Sequence, residues 1–223
     1  MRWQRRLSKR LLYLKFLLVQ RHRYGHLALE WVGGRPFLVL PQVFNPALFA
    51  SGQLLAREID RRDELLPNGA RVLDLGTGSG LGAIFGARKA SRVLATDVNP
   101  HAVRCARINV LLNGLEDRVE VRQADLFDGL PERFDVVLFN PPYYRGTPRD
   151  ALDQAWRSPD VLERFACQLP RVLSPGGYAL VVLSSDGEQA AFLDAFRSND
   201  LRCEIVARRD LLNETLTVYR VQV

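Results

Sequence analysis

The stretch Val72-Leu73-Asp74-Leu75-Gly76-Thr77-Gly78-Ser79-Gly80 joins an apolar run to a turn that contains three glycines. This pattern is typical of a buried strand followed by a loop in which a Cβ would obstruct the approach of a ligand to the backbone. No Gly-Lys-Ser/Thr sequence follows, which excludes a phosphate-binding P-loop. The spacing Gly78-x-Gly80-x-x-Ala83 also fits a dinucleotide-binding loop, so the glycines alone leave the ligand open.

Strands and helices alternate from residue 70 onward. The predicted strands are 71–75, 92–96, 118–122, 134–139, 177–184, 202–208 and 215–222; the predicted helices are 81–90, 100–112, 160–173 and 187–198. This alternation predicts an α/β fold with a mainly parallel, seven-stranded sheet and helices on both faces. Asn213 predicts a hairpin that inserts the last strand antiparallel, and Ser174-Pro175-Gly176-Gly177 predicts a turn between a helix and a strand.

The segment upstream of this domain has a different character. Residues 26–40 alternate around Gly33-Gly34 and predict a β-hairpin, and residues 47–65 predict a helix. We therefore expect an extension over residues 1–42 that contains a basic amphipathic helix and the hairpin, followed by the α/β domain over residues 43–223.

The basic charge of the chain is concentrated at the N-terminus. Residues 1–24 contain eight of the 31 Lys and Arg residues and no acid, so the remainder has 23 basic against 25 acidic residues. Leu7, Leu11, Leu14 and Leu18 follow helical spacing, which predicts either a helix with a solvated basic face or an arm that docks on RNA, the ribosome or a membrane surface.

Other classes are disfavoured by composition. The apolar run from Leu11 to Val19 is too short to span a bilayer, so no integral membrane span is expected. The three cysteines are far apart and form no C-x-x-C pair, which argues against a zinc site or a disulfide framework and favours a cytoplasmic protein.

Three carboxylates follow successive predicted strands and indicate the cofactor. Asp74 can face a cationic amino-acid group but would repel a pyrophosphate, Asp97 can accept hydrogen bonds from ribose hydroxyls, and Asp125 can reach an adenine amino group. Because the carboxyl ends of parallel strands meet at one edge, we expect them to converge on S-adenosyl-L-methionine. The predicted cofactor-binding residues are Asp74, Gly76, Thr77, Gly78, Gly80, Asp97, Val98, Asp125, Leu126 and Asn140.

The predicted reaction site is Asn140-Pro141-Pro142-Tyr143, directly after a buried strand. A conjugated nitrogen must rotate out of conjugation to accept a methyl group, and two hydrogen-bond acceptors favour that geometry. The Asn140 side-chain oxygen and the Pro141 carbonyl can serve as these acceptors, and the prolines hold the loop rigid. Tyr143 offers a ring face to a planar substrate, so Asn140, Pro141 and Tyr143 are the predicted catalytic residues, and Asn140 to Tyr143 the predicted substrate-binding residues.

With these motifs, residues 43–223 resemble the NPPY-type methyltransferases of the HemK/PrmC superfamily. They are most similar to the short HemK-like enzymes without an N-terminal helical domain, on the basis of Thr96-Asp97-Val98-Asn99-Pro100, Ala124-Asp125-Leu126-Phe127 and Asn213-Glu214-Thr215-Leu216-Thr217-Val218. The resemblance implies N5-methylation of a protein glutamine, with translation release factors as the family's targets. Some of these short enzymes work with a small zinc-binding subunit, and the sequence gives no sign for or against one.

Two departures leave the acceptor open. The short enzymes have an acidic stretch upstream of the cofactor strand, whereas residues 45–51 contain no acid, and the basic extension is additional. The same NPPY chemistry serves exocyclic amines of RNA bases, so methylation of ribosomal or transfer RNA is the alternative. A non-catalytic binding module and a nicotinamide oxidoreductase are further alternatives, which the intact motif and the position of Asp74 disfavour.

Overall fold

The computed structural model describes residues 25–223, so the predicted basic helix of residues 1–24 lies outside the described residues. The elements are β1 (Ala28–Val32), β2 (Arg35–Val39), α1 (Ala50–Arg61), β3 (Arg71–Leu75), α2 (Leu81–Gly86), β4 (Arg92–Asp97), α3 (Pro100–Leu112), β5 (Val119–Gln123), β6 (Phe134–Phe139), β7 (Tyr144–Arg145), β8 (Arg157–Ser158), α4 (Val161–Val172), β9 (Leu173–Ser184), α5 (Gln189–Ser198), β10 (Arg202–Asp210) and β11 (Thr215–Gln222).

The main sheet has seven strands in the order β10-β11-β9-β6-β3-β4-β5. Strands β3, β4, β5, β6 and β9 pair in parallel, and β11 runs antiparallel between β9 and β10. The predicted fold class and the antiparallel last strand are therefore confirmed. The order reverses at β3, which places a switch point between β3 and β6, where parallel sheets bind ligands.

Helices cover both faces of the sheet because strand residues alternate in direction. Val72 of β3 packs in the cluster that includes α1, α2 and α3, whereas Leu73 and Leu75 pack in the cluster that includes α4 and α5. By this alternation Asp74 lies on the same face as Val72, toward the start of α2. The Asp74 carboxylate is thus directed toward the helix layer of α1, α2 and α3, at the end of α2 that follows the glycine turn.

Several predicted boundaries are wrong in detail. Helix α1 is shorter than residues 47–65, since residues 46–48 form a turn, and α2 ends at Gly86 rather than at residue 90. The predicted turn Ser174-Pro175-Gly176-Gly177 is part of β9, as an irregularity between the pairs Phe134↔Leu173 and Val136↔Tyr178. The strand can begin earlier because Leu173 already pairs with β6 before the chain bulges.

A small parallel pair, β7 with β8, was not predicted. Each strand has two residues, too few to produce a periodic sequence signal. The pair closes a loop over residues 146–156 that contains the 3₁₀ turn Asp153–Ala155. This loop begins next to the reaction-site motif.

The hairpin β1–β2 packs into the domain core. Val32 and Phe37 belong to the larger hydrophobic cluster, and the buried Glu30 carboxylate accepts a hydrogen bond of 2.9 Å from the Asn45 side chain. The buried Asn109 of α3 accepts from the Leu38 N–H and donates to the Leu38 carbonyl. The division of the chain at residue 42 stays a prediction, but the hairpin and the domain share one core.

Within residues 25–223, no helix combines the length and the apolar character that crossing a membrane requires.

The turn of the hairpin offers a matched pair of substitutions. Gly33 (φ 56°) and Gly34 (φ 78°) both have left-handed backbones, but a Cβ on Gly33 would lie 2.6 Å from Cζ of the buried Phe85, whereas Gly34 faces open space. We expect Gly34→Ala to lower the free energy of unfolding by about 1 kcal/mol, and Gly33→Ala by about 3 kcal/mol because the core must also shift. Urea denaturation measures both; equal losses would contradict the packing of the hairpin on α2.

Candidate functional site

A cavity of about 390 Å³ opens at the switch point of the sheet. Leu75 of β3 pairs with Phe139 of β6, so the glycine turn that follows β3 lies beside Asn140. Of the predicted cofactor-binding residues, all except Gly80 line this cavity. The volume lies within the range of small-molecule sites in proteins.

The glycine turn has the conformation that its sequence predicts. Gly76, Gly78 and Gly80 have φ values of 65°, 57° and 91°, which other residues adopt only with strain. Gly80 precedes α2, and its N–H donates to the Thr77 carbonyl at 2.9 Å. The backbone of Gly76 and Gly78 therefore faces the cavity, whereas Gly80 does not line it and instead closes the turn through its hydrogen bond to Thr77.

Asp74 is buried in the wall beneath this turn. Its Oδ2 accepts hydrogen bonds from the Thr77 hydroxyl at 2.5 Å and from the Ala83 N–H at 2.7 Å. Burial raises the pKa of Asp74 to about 6, although these two hydrogen bonds favour the ionised form. A Cβ on Gly82 would lie 2.2 Å from Asp74 Oδ1, so glycine is required there by close packing, a requirement that the sequence did not reveal.

Asp97 at the end of β4 also faces the cavity. Its Oδ2 accepts from the Gly78 N–H at 2.8 Å and its Oδ1 from the Asn99 N–H at 2.9 Å. Burial raises the pKa of this carboxyl group, which the backbone hydrogen bonds oppose. Asp97 therefore connects the end of β4 to the glycine turn, and the exposed Val98 extends the wall beside it.

Asp125 lies at the third strand end, as predicted, but it is paired. Arg164 of α4 contacts both of its carboxylate oxygens, at 3.0 and 3.2 Å, and also contacts Asp128 at 3.1 Å. Arg164 lines the cavity together with Leu126, whose φ is 51°. The sequence could not identify Arg164, because it lies 39 residues from Asp125 on a separate helix.

The reaction-site motif forms a rigid corner. The Tyr143 hydroxyl donates a hydrogen bond of 2.8 Å to the Asn140 side-chain oxygen, and burial raises the pKa of the Tyr143 phenol. A Cβ on Gly187 would lie 2.7 Å from Tyr143 Cβ, so the tyrosine is packed closely from behind. Of the four predicted substrate-binding residues, Asn140 and Pro142 line the cavity, whereas Pro141 and Tyr143 do not. Pro141 is buried, and Tyr143 contacts the cavity-lining Asn140.

Residues outside the predicted motifs complete the cavity. Phe44 stacks on Phe49 with ring centroids 4.7 Å apart, and Trp156 packs edge-on against both rings. Phe44 and the nearby Gly52 line the cavity, and a Cβ on Gly52 would lie 3.8 Å from the Asn140 side-chain nitrogen. Pro46 also lines the cavity, so the acid-free segment 45–51, in which this sequence differs from the short HemK-like enzymes, borders the reaction site.

The chemistry of this lining fits a cationic nucleoside cofactor. The buried Asp74 and the half-buried Asp97 line the cavity beside the glycine turn. Apolar residues such as Phe44 and Leu75 contribute to the same lining. Within residues 25–223, no group of three or more His, Cys, Asp and Glu side chains could hold a metal ion.

Comparison with known proteins gives the same family over most of the chain. The family model of the methyltransferase small domain matches residues 35–209. A Methanocaldococcus jannaschii protein provisionally named as a protein N5-glutamine methyltransferase is 30% identical over 80% of this chain and 90% of its own length. The solved structure of a ribosomal protein L11 methylase from Lactobacillus delbrueckii subsp. bulgaricus matches 79% of this chain and 80% of its own with a TM-score of 0.61 and 21% identity, which bears on the fold alone.

Other relatives differ in their named acceptors. A release factor glutamine methyltransferase of Cereibacter sphaeroides is 34% identical over 52% of this chain and 47% of its own length. A tRNA1(Val) (adenine(37)-N6)-methyltransferase of Phocaeicola vulgatus is 33% identical over 56% of each chain. The chain thus spans about half the length of these two relatives.

Burial of Asp74 predicts a distinctive pH dependence. Because its pKa of about 6 in the folded state exceeds the usual value of 3.8, the folded state holds this proton to higher pH than the unfolded state does. The contribution of Asp74 to stability therefore falls as pH rises from about 4 to about 6. Relative to the wild type, Asp74→Asn should gain about 2 kcal/mol of unfolding free energy between pH 4 and pH 7.

Urea denaturation of the ligand-free proteins across this pH range measures the difference. A difference that does not change with pH would contradict the buried, hard-to-ionise state of Asp74.

Proposed function

Because the chain belongs to the methyltransferase small domain family and is an S-adenosylmethionine-dependent class I methyltransferase, we propose that its acceptor is the side-chain amide of a protein glutamine. A translation release factor is the first candidate protein. The similarity to the Methanocaldococcus jannaschii relative, which extends over 90% of that protein, supports a glutamine acceptor. The release factor is suggested by the name of the Cereibacter sphaeroides relative. The position of Asn140 beside the glycine turn is the observation that carries the proposal.

The proposed role of Asn140 follows from the chemistry of an amide. The nitrogen lone pair is delocalised into the carbonyl, so the amide must twist before the nitrogen can attack a methyl group. Asn140 Oδ1 and the Pro141 carbonyl would each accept a hydrogen bond from one N–H group of the substrate amide, which favours the twisted geometry. S-adenosylmethionine, when bound, supplies an electrophilic methyl group on a sulfonium, so alignment matters more than a strong base.

Tyr143 acts through Asn140 in this proposal. Its hydroxyl donates to Asn140 Oδ1, which fixes the direction of that oxygen. The second lone pair of Oδ1 then remains available for a hydrogen bond from the substrate N–H group. The ring-stacking role expected from the sequence is better suited to Phe44, which lines the cavity. Tyr143 is therefore proposed as a positioning residue.

The cofactor contacts are proposed on the charges of the cavity. Asp74 would face the cationic amino group, Asp97 the ribose hydroxyls and Asp125 the adenine amino group. The backbone of Gly76, Thr77 and Gly78 would run along the cofactor. Asp125 would bind with its carboxylate already oriented by Arg164.

A second candidate is an exocyclic amine of an RNA base. The aromatic cluster of Phe44, Phe49 and Trp156 lies at the cavity, and aromatic rings stack on bases. The eight basic residues of segment 1–24 suit a phosphate backbone, and one relative is named for a tRNA adenine.

A methylation assay with tritium-labelled cofactor separates the candidates. The acceptors are a purified release factor, total ribosomal protein, ribosomal RNA and transfer RNA, each incubated with the wild type and with Asn140→Ala. We expect label in the release factor, at a glutamine located by mass spectrometry. Label in RNA alone would overturn the glutamine proposal in favour of the second candidate.

The Asn140→Ala variant also tests the mechanism. Loss of an acceptor used in the transition state should lower kcat about 100-fold while S-adenosylhomocysteine binds with nearly unchanged affinity. Tyr143→Phe should lower kcat less, about 10-fold, because the Asn140 oxygen remains but loses its orientation. A loss of cofactor affinity equal to the loss of rate would contradict the proposed role of Asn140.

A further inference from the structure

Two segments outside the main sheet line the same cavity as the strand-end residues. One is the connector of residues 41–46, through Gln42, Val43, Phe44 and Pro46; the other is the loop of residues 146–156, through Pro148, Ala151, Gln154 and Ala155. No sequence motif indicated that either segment belongs to the site. What holds them together therefore decides how the cavity is closed.

The Asn99 side chain bonds to both segments at once. Its Nδ2 donates to the Gln42 carbonyl at 2.9 Å and to the Ala151 carbonyl at 3.2 Å. Both N–H hydrogens of the amide are thus used, one on each segment. Asn99 is 6% exposed and lines the cavity two residues after Asp97.

The same side chain also begins α3. Asn99 Oδ1 accepts from the His101 N–H at 2.9 Å, which is the usual hydrogen bond of an N-cap residue. One amide therefore has two separable functions. The oxygen caps a helix, whereas the nitrogen joins the connector to the loop.

The connector is constrained where Asn99 contacts it. Gln42 has a φ of 65°, in the left-handed region that residues other than glycine seldom adopt. Such a conformation persists only where surrounding contacts hold it, and the hydrogen bond from Asn99 to the Gln42 carbonyl is one of them. Release of this bond would let the connector relax away from the cavity.

A second junction lies between the same two segments. Phe44 of the connector and Trp156 at the end of the loop have ring centroids 5.2 Å apart. The base of the loop is held by the β7–β8 pair, in which the Tyr144 N–H donates to the Trp156 carbonyl at 2.9 Å. The loop is thus fixed at its base by strand pairing, and the hydrogen bond from Asn99 to the Ala151 carbonyl holds its middle.

We propose that Asn99 is a positioning residue that holds the connector and the loop together over the bound cofactor and slows its release. The pair of hydrogen bonds from Asn99 Nδ2 to the Gln42 and Ala151 carbonyls is called the clasp below. The inference rests on the proposed location of the cofactor in this cavity, and it does not depend on the identity of the acceptor. Asn99 acts through the Gln42 and Ala151 carbonyls, so its effect is on the dissociation of the cofactor.

Asn99→Ser separates the clasp from the helix cap. Serine is a preferred N-cap residue, so α3 and the melting temperature should be retained, but its hydroxyl cannot donate to two carbonyls. Loss of the two hydrogen bonds should raise the dissociation rate of S-adenosylhomocysteine about tenfold, with a smaller change in the association rate. Stopped-flow displacement measures the rates, and Asn99→Thr is a second variant that keeps the cap.

Asn113→Ser is the matched control. Asn113 lies at the other end of α3 and donates to the Pro36 carbonyl at 3.0 Å, outside the cavity lining. The Asn113→Ser variant loses a similar hydrogen bond to the N-terminal part of the chain, and it should release the cofactor at the same rate as the wild type. Equal release rates for the wild type and Asn99→Ser, or an equal acceleration in Asn113→Ser, would overturn the clasp.

Asp97→Ala distinguishes failure of the clasp from failure of the cavity assignment. If Asp97→Ala weakens S-adenosylhomocysteine binding while Asn99→Ser leaves release unchanged, the clasp alone is wrong. If Asp97→Ala leaves affinity unchanged, the cofactor does not bind in this cavity and the clasp is overturned with it.

Discussion

The candidate site depends on the parallel pairing of β3 with β6. This pairing brings the ends of two strands that are separated by more than 60 residues into register, with Leu75 opposite Phe139. The glycine turn and Asn140 are then neighbours without further adjustment. A register shift of one residue would turn Asp74 away from α2, because side chains alternate across a strand. The packing of Leu73, Leu75 and Phe139 against the helix layer that contains Phe165 specifies the register, and so the hydrophobic core positions the polar site.

Desolvation of two carboxylates beside the cavity has an energetic consequence. Asp74 and Asp97 are both desolvated, and the charge of Asp97 makes ionisation of Asp74 still less favourable. Their hydrogen-bond donors, chiefly the Thr77 hydroxyl and backbone N–H groups, offset part of this cost. A cationic ligand would offset more of it, since opposite charges attract strongly where water is excluded. The site is therefore better matched to a positively charged nucleoside than to an anionic dinucleotide.

The parts of the site that the sequence predicts are those carried by contiguous residues. Asp74 and the glycines occupy one strand and its turn, and Asn140 to Tyr143 follow the next strand of the site, so local pattern and strand order locate them. Arg164, Trp156 and the contacts of Asn99 arise from tertiary packing, and nothing in their own sequence neighbourhood signals them. The orientation of Tyr143 was missed for the same reason, because Gly187, 44 positions along the chain, packs behind it. The bulge in β9 shows that a Pro-Gly-Gly sequence can be absorbed by a strand when Leu173 before it already pairs.

The central claim is that the cofactor binds where the glycine turn meets Asn140, with its reactive end toward that residue. A crystal structure of the complex with S-adenosylhomocysteine tests it directly. We expect the amino group of the homocysteine portion next to Asp74, the ribose hydroxyls on Asp97, and the sulfur facing Asn140. A ligand bound elsewhere, or one whose sulfur faces away from Asn140, would contradict the account.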